Sequence, residues 1–89
     1  MMKNKTVLIT GANRGIGLAI VEKFLKNECN IIACSRKDDE ISLKKLNEIS
    51  KKFPNKIKIY RFDLGKIDDV ENACSKILAE NNNIDVLIN

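Results

Sequence analysis

Apolar residues along this chain form short continuous runs, and longer stretches of helical periodicity separate one run from the next. A continuous run of β-branched and aliphatic residues is typical of a strand that is buried in a parallel sheet. Such runs predict strands at 5–10, 30–35, 56–62 and 84–89. The third run alternates between apolar and polar residues, which indicates a position nearer the edge of the sheet.

Between these runs, apolar residues recur every three or four positions. The first series contains Ile16, Ile20 and Phe24, which lie on one face of a helix. The series predict helices around 16–27, 43–53 and 70–78, the second of them closed by Pro54. Asp68 and Asp69 precede the third series, as expected for acids in the first turn of a helix.

Strands that alternate with helices in the order βαβαβαβ predict an α/β fold with a parallel sheet and right-handed crossovers. We expect a Rossmann-type doubly wound sheet, with the first strand in the centre and a local strand order of 3-2-1-4. Residues 1–89 form one domain in this interpretation. A buried parallel strand should have neighbours and covering helices, so we expect this domain to be an amino-terminal portion, truncated after the fourth strand.

Composition narrows the possible environments and partners. The 89 residues are 44% hydrophobic and 31% charged, without an apolar run that could span a bilayer or serve as a secretory signal, which predicts a cytoplasmic protein. The net charge is +4, but aromatic residues are scarce and basic residues are not clustered, so nucleic-acid binding is not expected. The spacing of Cys29, Cys34 and Cys74 fits reduced, mostly buried thiols and no metal site.

A glycine-rich turn follows the first predicted strand, in the stretch TGANRGIG from Thr10 to Gly17. A strand, a glycine turn and a helix in succession create an anion site from backbone N–H groups and the helix dipole. In this interpretation Gly11 permits the tight turn, Gly15 the close approach of a phosphate-bearing ligand, and Gly17 the packing of helix on strand. The spacing fits neither the P-loop, which requires Lys and Ser or Thr after its last glycine, nor the G-x-G-x-x-G form.

This stretch resembles the cofactor loop of the short-chain dehydrogenase/reductase family, Rossmann-fold enzymes that use NAD or NADP. Three further segments follow in the order of that family: SR at 35–36, FDL at 62–64 and DVLIN at 85–89. The resemblance covers essentially all of the chain. It implies a set of cofactor-binding residues: Gly11, Ala12, Asn13, Arg14, Gly15, Ile16, Gly17, Ser35, Arg36, Asp63, Leu64 and Asn89.

The residues at the end of the second strand favour NADP(H) over NAD(H). In a Rossmann domain an acid at this position binds the ribose hydroxyls, whereas a cation pairs with the 2′-phosphate of NADP. Here Ser35 and Arg36 occupy the strand end, and Asp38 and Asp39 come later, in the expected loop or helix start. Arg14 is a second candidate cation. The alternative interpretation is that each arginine is a solvated surface charge.

The resemblance assigns further roles. Asp63, beside Leu64, is implied to accept a hydrogen bond from the adenine amino group, although it could instead cap a turn. Asn89 is implied to line the cofactor, and the Thr10 hydroxyl is expected to brace the loop against the fourth strand. Many relatives have glycine where this chain has Glu28, and we expect Asn27 to take the left-handed helix cap instead.

The resemblance implies hydride transfer between a nicotinamide and a carbonyl or alcohol, with a tyrosine, a lysine four residues later and a serine as catalytic groups. The one tyrosine, Tyr60, is in a predicted strand and is followed four residues later by Leu64, so we expect no catalytic residue within this sequence and no activity from it alone.

The layout is similar to 3-oxoacyl-acyl-carrier-protein reductases, which implies a small-molecule or carrier-bound carbonyl substrate and a homo-oligomer, a tetramer or dimer, at full length. A non-catalytic dinucleotide-binding module, or a decayed fragment of such an enzyme, is the alternative.

Overall fold

The computed structural model describes residues 3–12, 15–37 and 40–89. Within them, four strands alternate with three helices, which confirms the predicted order of elements. The elements are β1 (Thr6–Thr10), α1 (Gly15–Lys26), β2 (Asn30–Ser35), α2 (Glu40–Lys52), β3 (Ile57–Arg61), α3 (Ile67–Glu80) and β4 (Val86–Ile88). Asp68 and Asp69 lie in the first turn of α3, as predicted.

All strand pairs are parallel, and the sheet order is β3-β2-β1-β4, so the predicted order 3-2-1-4 is confirmed. The register pairs Thr10 with Cys34 and Ser35 with Arg61. Because parallel strands end at the same edge of a sheet, the residues after β1, β2 and β3 meet at one place. The strand order also reverses at β1, and in open α/β sheets a crevice forms at that point.

Two apolar layers cover the two faces of the sheet. Val7 and Ile9 point toward α1 and α2, where they pack in one cluster with Val21, Leu25 and Leu46. Tyr60 and Ile77 belong to the other cluster, on the α3 side, which also contains Ile32, Cys34 and Phe62. The alternation along the strands explains this division, because successive side chains point to opposite faces.

The fourth strand is less buried than its apolar sequence predicts. Leu87 is 67% exposed, and it pairs in register with Leu8, whose side chain packs on the α3-side cluster. The core of that cluster lies on β2 and β3, so α3 leaves Leu87 uncovered among the residues that the structure describes. Burial of a strand depends on the neighbouring elements and not on its own composition, and no described helix covers this face of β4.

The connection from α1 to β2 corrects a second prediction. Glu28, and not Asn27, adopts the left-handed conformation, with φ of 63°. The Glu28 N–H donates to Leu25 O at 3.0 Å and the Cys29 N–H to Phe24 O at 3.1 Å, a pair of hydrogen bonds that closes helices at a position favouring glycine. The left-handed residue that ends the helix is therefore one position later than predicted. It has a Cβ atom, for which the left-handed conformation is sterically unfavourable.

We expect Glu28→Gly to raise the free energy of unfolding by about 0.5–1 kcal/mol, because glycine adopts positive φ without the steric cost of a Cβ atom. The exposed ion pair of Glu28 with Lys3, at 3.9 Å, contributes little and would be a small loss. Urea denaturation of the chain measures the change. Glu28→Ala is the matched control, because it removes the same charge but keeps the Cβ atom. An equal gain from Glu28→Ala would attribute the effect to charge and contradict the conformational explanation.

Candidate functional site

The carboxyl ends of β1, β2 and β3 surround a cleft of about 130 Å³, which we call the carboxyl-edge cleft. Its walls are Thr10, Gly11, Cys34, Ser35, Arg36, Phe62 and Leu64. These residues come from three separate parts of the sequence, and the parallel register brings them together. The cleft therefore has the position that the topology predicts for a ligand site in an open α/β sheet.

The glycine loop forms one wall of this cleft and runs directly into α1. Gly11 and Gly15 have φ of +61° and +56°, and an added Cβ atom at either would meet nothing within 4 Å. At Gly17 a Cβ atom would overlap the carbonyl oxygen of Gly11 and lie 2.9 Å from its carbonyl carbon. The first turn of α1 is therefore packed against the loop backbone, and Gly11 and Gly15 leave open space in front of it.

Two contacts hold the loop at the end of the sheet. The N–H of the fully buried Ala12 donates to Cys34 O at 3.2 Å, which ties the loop to β2. The Thr10 hydroxyl donates to Asn89 Oδ1 at 2.9 Å and approaches Ile88 O at 3.5 Å. The predicted role of Thr10 in bracing the loop against the fourth strand is confirmed. Asn13 and Arg14, for which cofactor contacts are predicted, lie outside the described residues.

The end of β2 supplies the polar wall of the cleft. Ser35 is 6% exposed, and its Oγ is buried without a hydrogen-bond partner in the described part of the chain. Its neighbour Arg36 is exposed and lines the cleft. An unsatisfied buried hydroxyl is uncommon, and its presence in a wall of a cleft indicates a place where a polar ligand can bind. Asp38 and Asp39, which sequence reasoning assigns to the following loop or helix start, are outside the described residues.

Cys34 belongs to the apolar part of this wall. Burial raises the pKa of the Cys34 thiol to about 11, and the thiol of Cys74 adds to the shift. The group is therefore neutral at physiological pH, and its environment does not activate it as a nucleophile. Cys29 and Cys34 are buried and Cys74 is exposed, and none forms a disulfide within the described residues.

Asp63 occupies a tight turn after β3. Its Oδ1 accepts a hydrogen bond from Gly65 N at 2.9 Å, and its carbonyl oxygen accepts one from Lys66 N at 3.1 Å. This is the turn-capping role that the sequence left open for Asp63. Leu64, the residue between them, is 63% exposed and lines the carboxyl-edge cleft. The structure thus places Leu64 on the cleft and Asp63 on the adjoining polar groove with Arg36 and Lys37.

Sequence reasoning missed a set of ionic contacts beside the cleft. Lys37 Nζ lies 3.0 Å from Asp69 Oδ2, and the hydrogen bond from Lys37 is the main reason that the pKa of Asp69 is lowered. Arg61 Nη2 lies 2.9 Å from Glu40 Oε1. These partners are 21 or more positions apart in sequence, so only the tertiary structure could have revealed them.

The hydroxyl of Tyr60 lies away from the carboxyl-edge cleft, although the residue pairs in register with Cys34 in the cleft wall. Its hydroxyl donates to Glu80 Oε1 at 2.7 Å and accepts from Asn81 Nδ2 at 3.1 Å, at the carboxyl end of α3. Burial, and then the bond to Glu80, raise the pKa of Tyr60. Because α3 runs antiparallel to the strands, this network lies toward the opposite edge of the sheet.

Neither a membrane-spanning helix nor a metal-binding cluster is present among the described residues. Over 3–12, 15–37 and 40–89, none of the helices combines the length and the apolar character needed to cross a membrane. The same residues contain no cluster of three or more histidine, cysteine, aspartate or glutamate side chains that could hold a metal ion.

Comparison with known proteins agrees with this fold. The chain is 32% identical over 89 residues to the dehydrogenase/reductase SDR family protein 7-like of Dictyostelium discoideum, covering 97% of this chain and 28% of the relative. It is 30% identical to the 3-oxoacyl-acyl-carrier-protein reductase FabG of Chlamydia muridarum, covering 100% of this chain and 36% of that protein.

Among solved structures, L-sorbose reductase from Gluconobacter frateurii, in complex with NADPH and L-sorbose, superposes with a TM-score of 0.79 at 25% identity. The match covers 97% of this chain and 32% of the reductase. The chain thus spans about a third of the length of the relatives it matches. A family model described as short chain dehydrogenase matches residues 5–89, and the chain therefore belongs to the short-chain dehydrogenase family.

Proposed function

We propose that the chain is the cofactor-binding part of an NADP(H)-dependent oxidoreductase that transfers hydride between the nicotinamide and a carbonyl or alcohol substrate. Membership of the family supports the reaction type. The observation that carries the cofactor preference is the end of β2, where Arg36 and an unsatisfied Ser35 hydroxyl line the carboxyl-edge cleft. No carboxylate is among the described residues that line this cleft.

The described residues fit a dinucleotide. Gly11 and Gly15 leave open space where a Cβ atom would project, so the backbone N–H groups at the start of α1 can approach a pyrophosphate closely. The Ser35 hydroxyl has hydrogen-bonding capacity that the described part of the chain does not use. The cofactor, when bound, supplies the nicotinamide that carries hydride.

Different residues in and beside the cleft would hold different parts of that cofactor. The glycine loop, residues 11–17, would bind the pyrophosphate through backbone donors, with Asn13 and Arg14 assigned from sequence alone. Arg36 would pair with the 2′-phosphate, assisted by Ser35, because a guanidinium forms strong charge-assisted hydrogen bonds with phosphate. Leu64 would cover the adenine. The Asp63 carboxylate would accept a hydrogen bond from the adenine amino group through the oxygen that does not bind Gly65 N.

Asn89 would act at the other side of the loop. Its Oδ1 accepts from the Thr10 hydroxyl at 2.9 Å, which orders the side-chain amide of Asn89 beside the loop. A side-chain amide that is already ordered loses little conformational entropy when it donates a hydrogen bond to a cofactor. Asn89 would therefore have two roles: its amide would bind the cofactor, and its contact with Thr10 joins the end of β4 to the loop.

A titration of the chain with NADPH and NADH tests the proposal. We expect NADPH to bind at least about tenfold more tightly, which corresponds to about 1.4 kcal/mol for one charge-assisted phosphate contact. Adenosine 2′,5′-bisphosphate and 5′-AMP form a matched pair that isolates the 2′-phosphate from the nicotinamide. Equal affinities within both pairs would overturn the cofactor preference, and no binding of any of the four would overturn nucleotide binding altogether.

We also propose a class of substrate. Similarity to a 3-oxoacyl-acyl-carrier-protein reductase supports a carbonyl substrate that is small or carried on a protein. We place the catalytic serine, tyrosine and lysine outside this sequence, since Tyr60 is bound to Glu80 away from the cleft. A full-length product containing these residues would reduce carbonyls with NADPH as a cytoplasmic homo-oligomer, whereas the 89 residues alone would not.

A further inference from the structure

Arg61 is the last residue of β3, and its side chain turns toward the neighbouring strand end. The register places it opposite Ser35, the last residue of β2, and its side chain is 27% exposed. An arginine at a strand end usually extends into solvent. Here the guanidinium instead lies over the segment that follows β2.

One guanidinium contacts three successive described residues of that segment. Arg61 Nε donates to Arg36 O at 3.4 Å, and Nη2 donates to Lys37 O. Nη2 also donates to Glu40 Oε1 at 2.9 Å, at the first residue of α2. The side chain of Arg61 therefore joins the end of β2 to the start of α2.

The planar guanidinium group makes this contact directional. Its N–H groups hold a fixed geometry, so the carbonyls of Arg36 and Lys37 can both be satisfied only in a narrow range of loop conformations. The bond of Lys37 Nζ to Asp69 Oδ2 restrains the same segment from the α3 side. The backbone from which the Arg36 side chain projects is thus held by a residue that does not line the carboxyl-edge cleft.

We propose that Arg61 is a positioning residue that fixes the backbone of Arg36 and so strengthens discrimination between adenosine with and without a 2′-phosphate. This inference rests on the proposed function, in which Arg36 pairs with that phosphate. A phosphate contact gains from a donor that is already ordered, because less conformational entropy is lost on binding. Arg61 acts through Arg36 and contacts no ligand itself.

The test is a double-mutant cycle of Arg36→Ala and Arg61→Met, with NADPH and NADH affinities measured for the chain and each variant. We expect Arg61→Met to weaken NADPH binding about fivefold to tenfold and NADH binding less than twofold. In the Arg36→Ala background, Arg61→Met should cause no further loss of NADPH affinity. The thermal midpoint is recorded for each variant and should change little, since the Glu40 side chain is 75% exposed and water can replace Arg61 as its partner.

Two matched variants separate positioning from charge. Lys58→Met removes one positive charge from the same strand, but Lys58 Nζ contacts Glu80 O and Asn81 Oδ1 instead of the β2 end, so cofactor selectivity should not change. Arg61→Lys keeps the charge but lacks the planar guanidinium with its fixed N–H donors. We expect it to lose most of the cofactor selectivity that Arg61→Met loses. Full selectivity in Arg61→Lys would show that charge suffices and overturn positioning.

The cycle distinguishes failure of this inference from failure of the proposed function. If Arg36→Ala lowers NADPH affinity but Arg61→Met has no effect, or an additive one, Arg61 does not act through Arg36 and the inference is overturned alone. If Arg36→Ala itself leaves NADPH affinity unchanged, the 2′-phosphate assignment is overturned, and the role of Arg61 with it. A lower thermal midpoint with equal losses for NADPH and NADH would show a structural role only.

Discussion

Gly17→Ala is expected to destabilise the chain by about 3 kcal/mol or more and to abolish measurable nucleotide binding. The added Cβ atom would overlap the carbonyl oxygen of Gly11 and lie 2.9 Å from its carbonyl carbon and 3.3 Å from Ala12 Cα. All three are backbone atoms, so no side-chain rotation relieves the overlap. Either α1 moves away from the sheet or the loop is displaced into the space that a phosphate would use.

Urea denaturation and an NADPH titration of the same variant measure the two effects. Gly65→Ala is the matched control, since its Cβ atom would lie 3.2 Å from Asp63 Oδ1, a side-chain atom that can shift. We expect that variant to lose less than about 1 kcal/mol of stability. If Gly17→Ala were no more destabilising than Gly65→Ala, the close packing of α1 on the loop would not be the reason for glycine at this position.

Arg36→Asp is expected to weaken NADPH binding about a hundredfold while leaving NADH binding unchanged or improving it. Loss of a charge-assisted hydrogen bond costs about 1.5–3 kcal/mol, which is roughly tenfold to a hundredfold, and repulsion between carboxylate and phosphate adds to the loss. Toward NADH, a carboxylate at the end of β2 can accept hydrogen bonds from the ribose hydroxyls. Selectivity should therefore reverse, and not merely decrease.

Calorimetric titrations with both cofactors measure this reversal, and the salt dependence of NADPH binding should weaken in the variant. Lys76→Asp on the exposed surface of α3 makes the same change in net charge and serves as the control. Its selectivity should match that of the unaltered chain. Unchanged NADPH affinity in Arg36→Asp, or an equal loss in Lys76→Asp, would contradict the assignment of Arg36 to the 2′-phosphate.

Much of the fold was accessible from sequence because its signals are local. Continuous apolar runs and series such as Ile16, Ile20 and Phe24 predicted the order of strands and helices, which the structure confirms. The boundaries of β4 and the exposure of Leu87 were not accessible, since burial of a strand depends on which helices cover it. The left-handed residue at Glu28 was missed by one position because the closing hydrogen bonds to Phe24 and Leu25 determine where the helix ends.

The candidate site divides in the same way. The sequence alone determined the family resemblance, the glycine loop and the residues Ser35 and Arg36 after the second strand, because these are contiguous patterns with a fixed physical reason. Only the tertiary structure placed Arg61 over the carbonyls of Arg36 and Lys37, and Lys37 beside Asp69. The Arg61 contacts depend on the register of β3 against β2, and the Lys37 contact depends on the position of α3; both join segments that are distant in sequence, so neither can be read from one segment alone.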